Sequence, residues 1–234
     1  MIYEYGLTIG HSKIHVRSDV KEAIFEAIRD ITRHLRDLLN YVEENPHFKY
    51  SLEPLDVRSN APIIVRRMAE ASRIAGVGPM ASVAGAVADL GLETLLKMAS
   101  KIAVVEDGGE ISAYTSSKNI VVSILTSEPY LSGKIGFLIT RDDSPLGIGT
   151  SSGKTDRTIS FGEADSVTVI AENAAIADAA ATAVCNAVTG SDIRKSISKG
   201  LERAKSIRGV RGAIIIREGC VGLIGNLPKT IKIK

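Results

Sequence analysis

Two stretches constrain this sequence more than any others. Residues 81–88 hold Ala81, Ser82, Ala84, Gly85, Ala86 and Ala88, and residues 173–190 read NAAIADAAATAVCNAVTG. Both suit helices, and both are nearly bare of side-chain bulk, so something can approach their backbones closely. That partner is either another packed element or a ligand, and small residues alone do not choose between them. A second copy of the chain could use the same surface, so a homodimer is a further option.

The segments around this pair belong to an α+β protein. Residues 2–17 alternate through Tyr3, Tyr5, Leu7, Ile14 and Val16, which predicts a hairpin turning near residues 10–12. From Asp19 the apolar residues Val20, Ile24, Ile28, Ile31, Leu35, Leu38 and Val42 recur at three and four, predicting an amphipathic helix over 19–44 that Pro46 ends. PIIVRRMAEASRIAG predicts a second helix, with Gly76 and Gly78 separating it from the first small-residue segment. IAVVE, EISAY, IVVSIL and GFLIT are β-branched runs suited to an antiparallel sheet, and a Gly- and Ser-rich loop is expected over 147–153. SVTVIA leads into the second small-residue helix, and GAIIIR, CVGLIG and TIKIK read as closing strands. This order lacks regular βαβ alternation and favours layered α+β architecture over a Rossmann fold.

Charge and composition exclude several classes. Lysine plus arginine number 29 against 27 aspartate plus glutamate, so no field of one sign argues for nucleic acid or an acidic membrane. The N-terminus lacks the pattern of a signal peptide, and the Ala-rich segments are interrupted by Asp, Asn or Glu, so a cytoplasmic protein without a membrane span is expected. Cys185 and Cys220 have neither CxxC spacing nor histidines nearby in sequence, and buried, reduced thiols are the default reading. His11, His15, His34 and His47 fall in no nucleophile or HExxH motif. No catalytic residue is assignable.

Three motifs carry possible chemistry. In Ala177-Asp178-Ala179-Ala180-Ala181-Thr182, helical spacing puts the Asp178 carboxylate and Thr182 hydroxyl on one face, offering oxygen donors to a hard cation such as Mg²⁺. The alternative is an Asp favoured by the helix dipole and a Thr bonding back to its own helix. Gly147, Gly149 and Gly153, with Thr150, Ser151 and Ser152 among them, can expose N–H groups and hydroxyls to a phosphate, or form a plain surface loop. Asp107-Gly108-Gly109 fits a hairpin turn.

Taken in order, these segments resemble the ApbE family, flavin transferases that use FAD to place FMN on a protein threonine or serine. GPMASVAG with AVADLG resembles its small-residue helix entry, and IAVVEDGGEIS its strand, Gly-Gly-acid, strand element. GTSSG resembles its Thr-Ser-Gly segment, and SVTVIAENAAIADAAATAV its closing strand and Ala-Asp-Ala-x-x-Thr helix. The resemblance covers about residues 75–190. It implies one ApbE-like domain over 1–234, with the hairpin and helix of 1–60 packed on it. By resemblance, Asp178 and Thr182 ligate Mg²⁺ together with the Ala81 carbonyl. Gly108, Gly109 and Glu110, with Thr150, Ser151, Ser152 and Gly153, lie near FAD or FMN.

The chain also departs from the family pattern. Where a His-x-x-Asp-Pro-x-Thr-Gly motif is expected, it has KTDRTISFGEAD, and Ala84 stands where the family has a lysine. The lipoprotein signal common in the family is missing, which argues against an exported acceptor and for a compact cytosolic branch marked by VGPMASVAGA. Three functions follow from the resemblance: Mg²⁺-dependent FMN transfer to an acceptor protein or pyrophosphate cleavage, non-catalytic binding of the flavin or nucleotide, and sulfur handling through Cys185.

Overall fold

In the computed structural model, residues 1–154 and 160–233 are described. The predicted hairpin is β1 (Tyr3–Ile9) and β2 (Ser12–Ser18), and the predicted long helix is α1 (Lys21–Glu44). The connector contains a short helix, α2 (Pro46–Tyr50), with Pro46 in its first turn, where the missing N–H costs nothing. Helix α3 (Ile63–Ala75) ends on Gly76 in the left-handed conformation, φ 67°, which suits a residue without a Cβ. A 3₁₀ turn over Pro79–Ser82 then enters α4 (Val83–Lys97).

Strands β3 (Ile102–Asp107), β4 (Glu110–Thr115), β5 (Ile120–Ser123) and β6 (Ile135–Ile139) follow. Next come β7 (Leu146–Ser151), β8 (Ser166–Ala171), α5 (Ala174–Ala187) and α6 (Ile193–Ser206). The chain closes through β9 (Val210–Arg217), β10 (Cys220–Gly225) and β11 (Lys229–Lys232). One antiparallel sheet of eight strands runs β1-β2-β3-β4-β7-β8-β9-β10, and a second of three runs β11-β6-β5.

The two faces of the large sheet bury different cores. Val16, Val105, Val167, Val169 and Ile215 point toward the helices. Ile111, Ile148, Ile170, Ile214 and Ile216 point toward Phe137 and Ile139 of the small sheet. The hairpin belongs to the large sheet, because β2 pairs with β3 from Ile14↔Asp107 to Ser18↔Ala103. Helix α1 lies against α4, close enough that a Cβ on Gly91 would stand 2.7 Å from Ile31 Cδ1. The stretch Pro79–Lys97 is apolar and long enough to cross a bilayer, yet 67% of its apolar window is buried inside the protein, as in a core helix.

The structure corrects the sequence reading in three places. The expected Gly- and Ser-rich loop is largely strand β7, where glycine serves close packing instead of a turn. The four runs read as one antiparallel sheet divide between the two sheets, β3 and β4 in the large one and β5 and β6 in the small one. Helix α6 had no sequence expectation, although Asp192 caps it by accepting from Lys195 N and it buries Ile197 and Ala204.

Candidate functional site

The two small-residue helices pack on each other and cap each other. A Cβ on Gly85 would lie 2.2 Å from the Ala174 carbonyl oxygen, so only glycine permits this crossing. On β7, Cβ atoms at Gly147 and Gly149 would stand 2.0 Å from the backbone of Asn173, which caps α5, and 2.5 Å from that of Ala177 within it. The bare surfaces are therefore filled by backbone, which is the packing reading of the sequence.

Each helix then supplies an aspartate to the other's first turn, where N–H groups lack intrahelical acceptors. Asp89 of α4 accepts from Ala174 N at 2.9 Å, Ala175 N at 3.0 Å and Ser112 Oγ at 2.7 Å. Asp178 of α5 accepts from Gly85 N at 2.9 Å.

The surroundings of Asp178 are acidic. Glu110 begins β4, and its Oε1 accepts from Thr150 N at 3.4 Å. Asp107 faces Glu110 across the Gly108-Gly109 turn, both glycines having positive φ, and accepts from Ser12 Oγ at 2.8 Å. Burial, followed by the charge of Glu110, raises the Asp178 pKa well above the ordinary carboxylate range, against the Gly85 N–H bond that favours ionisation. Burial likewise pushes Glu110 up to about 7, opposed by the Thr150 N–H. Among the described residues no lysine or arginine forms an ion pair with either carboxylate.

Thr182 lies one turn beyond Asp178, half-buried, and among the described residues no hydrogen bond engages its hydroxyl. Ala81 lies on the half-buried 3₁₀ turn that leads into α4. No group of three His, Cys, Asp or Glu side chains among the described residues is arranged to hold a metal. Mg²⁺ does not need one, because it is commonly held by one or two carboxylates while keeping waters or substrate phosphates. A half-buried carboxylate pair with no basic ion-pair partner among the described residues, with a half-buried hydroxyl one turn away, suits such an ion.

The predicted nucleotide residues gather around a cleft of about 700 Å³ between the two sheets, lined by Gly108, Gly109, Thr150, Ser151 and Ser152. Glu110 and Gly153 do not line it. Glu110 projects toward the helices and meets the cleft rim only through Thr150 N. Gly153 is held under Gly162, whose carbonyl oxygen would be 1.7 Å from an added Cβ. Asp178, Thr182 and Ala81 also lie outside this cleft, on the helix side of the large sheet. Sheet alternation thus divides the predicted site, and the turn of Gly108-Gly109 and the end of β7 join its halves.

Sequence reasoning missed Asp89, whose signal was a lone charge inside the apolar AVADLG. It also missed Ser166, which lines the cleft from β8. Cys185 is buried, and burial pushes its thiol up, so it stays protonated at neutral pH. Of the segment KTDRTISFGEAD, residues 155–159 lie outside the described residues.

Residues 4–221 match the protein family described as AbpE bacteria. The UPF0280 protein of Methanocaldococcus jannaschii is 37% identical over 99% of this chain and 94% of its own length. That of Methanothermobacter thermautotrophicus is 38% identical over 96% and 86%. Among solved structures, a variant of the flavin transferase ApbE from Vibrio cholerae superposes with a TM-score of 0.61 at 13% identity, covering 96% of this chain and 97% of its own. The Pseudomonas stutzeri flavinyl transferase ApbE gives 0.58 at 16% identity over 100% and 95%. At these identities the two structures establish a common fold.

Proposed function

The chain belongs to the AbpE and UPF0280 family and has the fold of ApbE flavin transferases, and from that premise we propose that it binds FAD or a related nucleotide together with Mg²⁺. The observation that carries this reading is the half-buried pair Asp178 and Glu110, each raising the other's cost of ionisation, with no basic ion-pair partner among the described residues. Asp178, Thr182 and the Ala81 carbonyl would hold the ion. When bound, Mg²⁺ supplies charge neutralisation to a phosphoanhydride.

The remaining roles belong to the chain itself. The Gly85 N–H holds the Asp178 carboxylate in place from α4. Gly108, Gly109, Thr150, Ser151 and Ser152 present backbone and hydroxyl groups to the nucleotide at the cleft rim. Glu110 and Gly153 support that rim from below, through Thr150 N and through the packing under Gly162. The segment 1–60 is part of the same domain, since its hairpin extends the sheet that carries the site.

FMN transfer to an acceptor protein, or hydrolysis of the pyrophosphate, is the activity this arrangement supports. A second reading is favoured by one observation: neither histidine nor proline occurs in residues 154–165, where the family motif falls. In that reading the protein binds the nucleotide without turnover. Calorimetric titration with FAD, with and without Mg²⁺, followed by chromatography for AMP and FMN, separates the two. Mg²⁺-dependent binding with AMP release is expected for transfer or hydrolysis, and binding without products for the accessory role. Affinity for FAD that is absent, or indifferent to Mg²⁺, defeats the metal–nucleotide reading.

A further inference from the structure

The amino-terminal hairpin reaches further than its place in the sheet requires. The ladder between β2 and β3 runs from Ser18↔Ala103 to Ile14↔Asp107, and that alone fixes the hairpin on the large sheet. Beyond it, Gly108 N donates to the Lys13 carbonyl oxygen at 3.1 Å, and Ser12 Oγ donates to Asp107 Oδ2 at 2.8 Å. The N–H and C=O of a strand residue point to the same edge, so the Lys13 N–H faces this carboxylate as well, and with Ser12 it favours the ionised form. Residues 12 and 13 thus grip the start of the Gly108-Gly109 turn, across which Glu110 pairs with Asp107.

An aspartate is not needed to close a strand pair. Asp107 is 3% exposed, burial raises its pKa, and among the described residues no lysine or arginine forms an ion pair with it. A threonine or valine would fill the same strand end without burying a carboxylate. The charge of Asp107 is felt at the site, where it adds to the repulsion at both Glu110 and Asp178. The two groups that stabilise it, the Ser12 hydroxyl and the Lys13 N–H, both belong to the hairpin.

We propose that Ser12 and the Lys13 peptide are positioning groups of the metal–nucleotide site: they hold Asp107 as a third carboxylate whose field adds to that of Glu110 and Asp178, and so set how tightly the site holds a divalent cation. The inference rests on the metal–nucleotide reading above and adds the hairpin to it. A group outside a metal's own ligands acts on the ion through the field and orientation it imposes. Ser12 works only through Asp107, and the same grip fixes the Gly108-Gly109 turn at the rim of the cleft.

The test reads the Mg²⁺ concentration that half-saturates FAD binding, by calorimetry on the intact protein, alongside the melting temperature in EDTA. Threonine and valine have the same shape, so Ser12→Thr keeps the hydroxyl and Ser12→Val removes it. Ser12→Val should raise the half-saturating Mg²⁺ concentration about fivefold, the worth of one neutral hydrogen bond, and Ser12→Thr should stay within about twofold of the wild type. Asp107→Asn keeps an acceptor for Ser12 while removing the charge, and should raise that concentration at least about tenfold. In the Asp107→Asn background, Ser12→Val should change the Mg²⁺ requirement by less than about twofold, because its effect runs through the Asp107 charge.

An unchanged Mg²⁺ requirement in Ser12→Val or in Asp107→Asn, whatever the melting temperature, makes the grip structural only; it overturns the inference and leaves the metal–nucleotide reading intact. Equal losses in Ser12→Thr and Ser12→Val overturn it too, since the hydroxyl is then not what matters. So does a full effect of Ser12→Val in the Asp107→Asn background. Wild-type protein whose FAD binding is indifferent to Mg²⁺ overturns both readings.

Discussion

The two ends of the α4–α5 pair hold the same residue type in opposite circumstances. Asp89 and Asp178 each reach across to the first turn of the neighbouring helix, and burial raises the pKa of both. Asp89 is 4% exposed and accepts three hydrogen bonds, two of them from the α5 amides. Asp178 accepts one and faces Glu110, with Asp107 and Asp89 adding to the repulsion. Three donors can stabilise one carboxylate inside a protein, whereas one donor against several negative neighbours leaves a charge to be neutralised from outside. Asp89 is thus a structural cap, and Asp178 a cap with an unmet electrostatic demand.

The comparison breaks most visibly on ligand binding. Asp178→Ala should reduce Mg²⁺-dependent FAD affinity at least about 100-fold by calorimetry, since loss of even an outer-shell metal partner commonly costs up to that much. Its thermal stability should fall little or rise, because the mutation removes one hydrogen bond together with a repulsive charge. A variant that binds FAD normally would return Asp178 to the class of simple caps. Asp89→Ala should do the reverse in kind. It orphans two helix amides and the Ser112 hydroxyl, at a cost of roughly 3 kcal/mol in urea unfolding. An unfolding free energy within about 0.5 kcal/mol of the wild type would show that surface-like tolerance, and not capping, describes that end.

Titration sharpens the same contrast. A carboxylate whose pKa is raised by folding contributes stability that is complete below its unfolded pKa and is lost as pH rises through the folded value. For Glu110 that window runs from the ordinary 4.5 to about 7. The melting temperature of the metal-free protein should therefore fall from pH 4.5 to 7, and Mg²⁺ at pH 7 should restore part of the loss. Glu110→Gln should flatten this slope. A slope unchanged in that variant would move the pH dependence to Asp178 or Asp89, both also raised.

Much of the architecture was legible because period and punctuation agree. The switch from alternation to three-and-four spacing after Asp19 marks α1, and the chain from Ile102 to Thr115 turns where Asp107-Gly108-Gly109 supplies positive φ. The division into two sheets was not legible, because β5 and β6 have the same local pattern as β3 and β4, and only pairing with β11 at the end of the chain separates them. Strand β7 was misread for a related reason. Gly147 and Gly149 look like loop residues until α5 is in place, since the backbone they admit is a tertiary fact. The site followed the same rule. Asp178 and Thr182 stand out as a candidate donor pair from spacing within one helix and from the family resemblance, whereas Asp89 matters through partners across the helix pair that no local pattern encodes.

Thr182 makes the finest test of how far helical spacing alone identifies a donor pair. It sits four residues beyond Asp178, on a half-buried patch of α5, and no hydrogen bond engages its hydroxyl among the described residues. A threonine bonding back to its own helix would lose that bond in Thr182→Val and destabilise slightly, with no effect on metal. A threonine donating its oxygen to Mg²⁺ would lose one neutral contact in the same isosteric change, so FAD affinity with Mg²⁺ should drop about fivefold while the melting temperature holds. The drop should disappear when FAD is titrated in EDTA, because the contact runs through the ion. Equal weakening with and without metal would place Thr182 against the nucleotide itself, and no weakening at all would leave Asp178 as the only α5 side chain facing the ion.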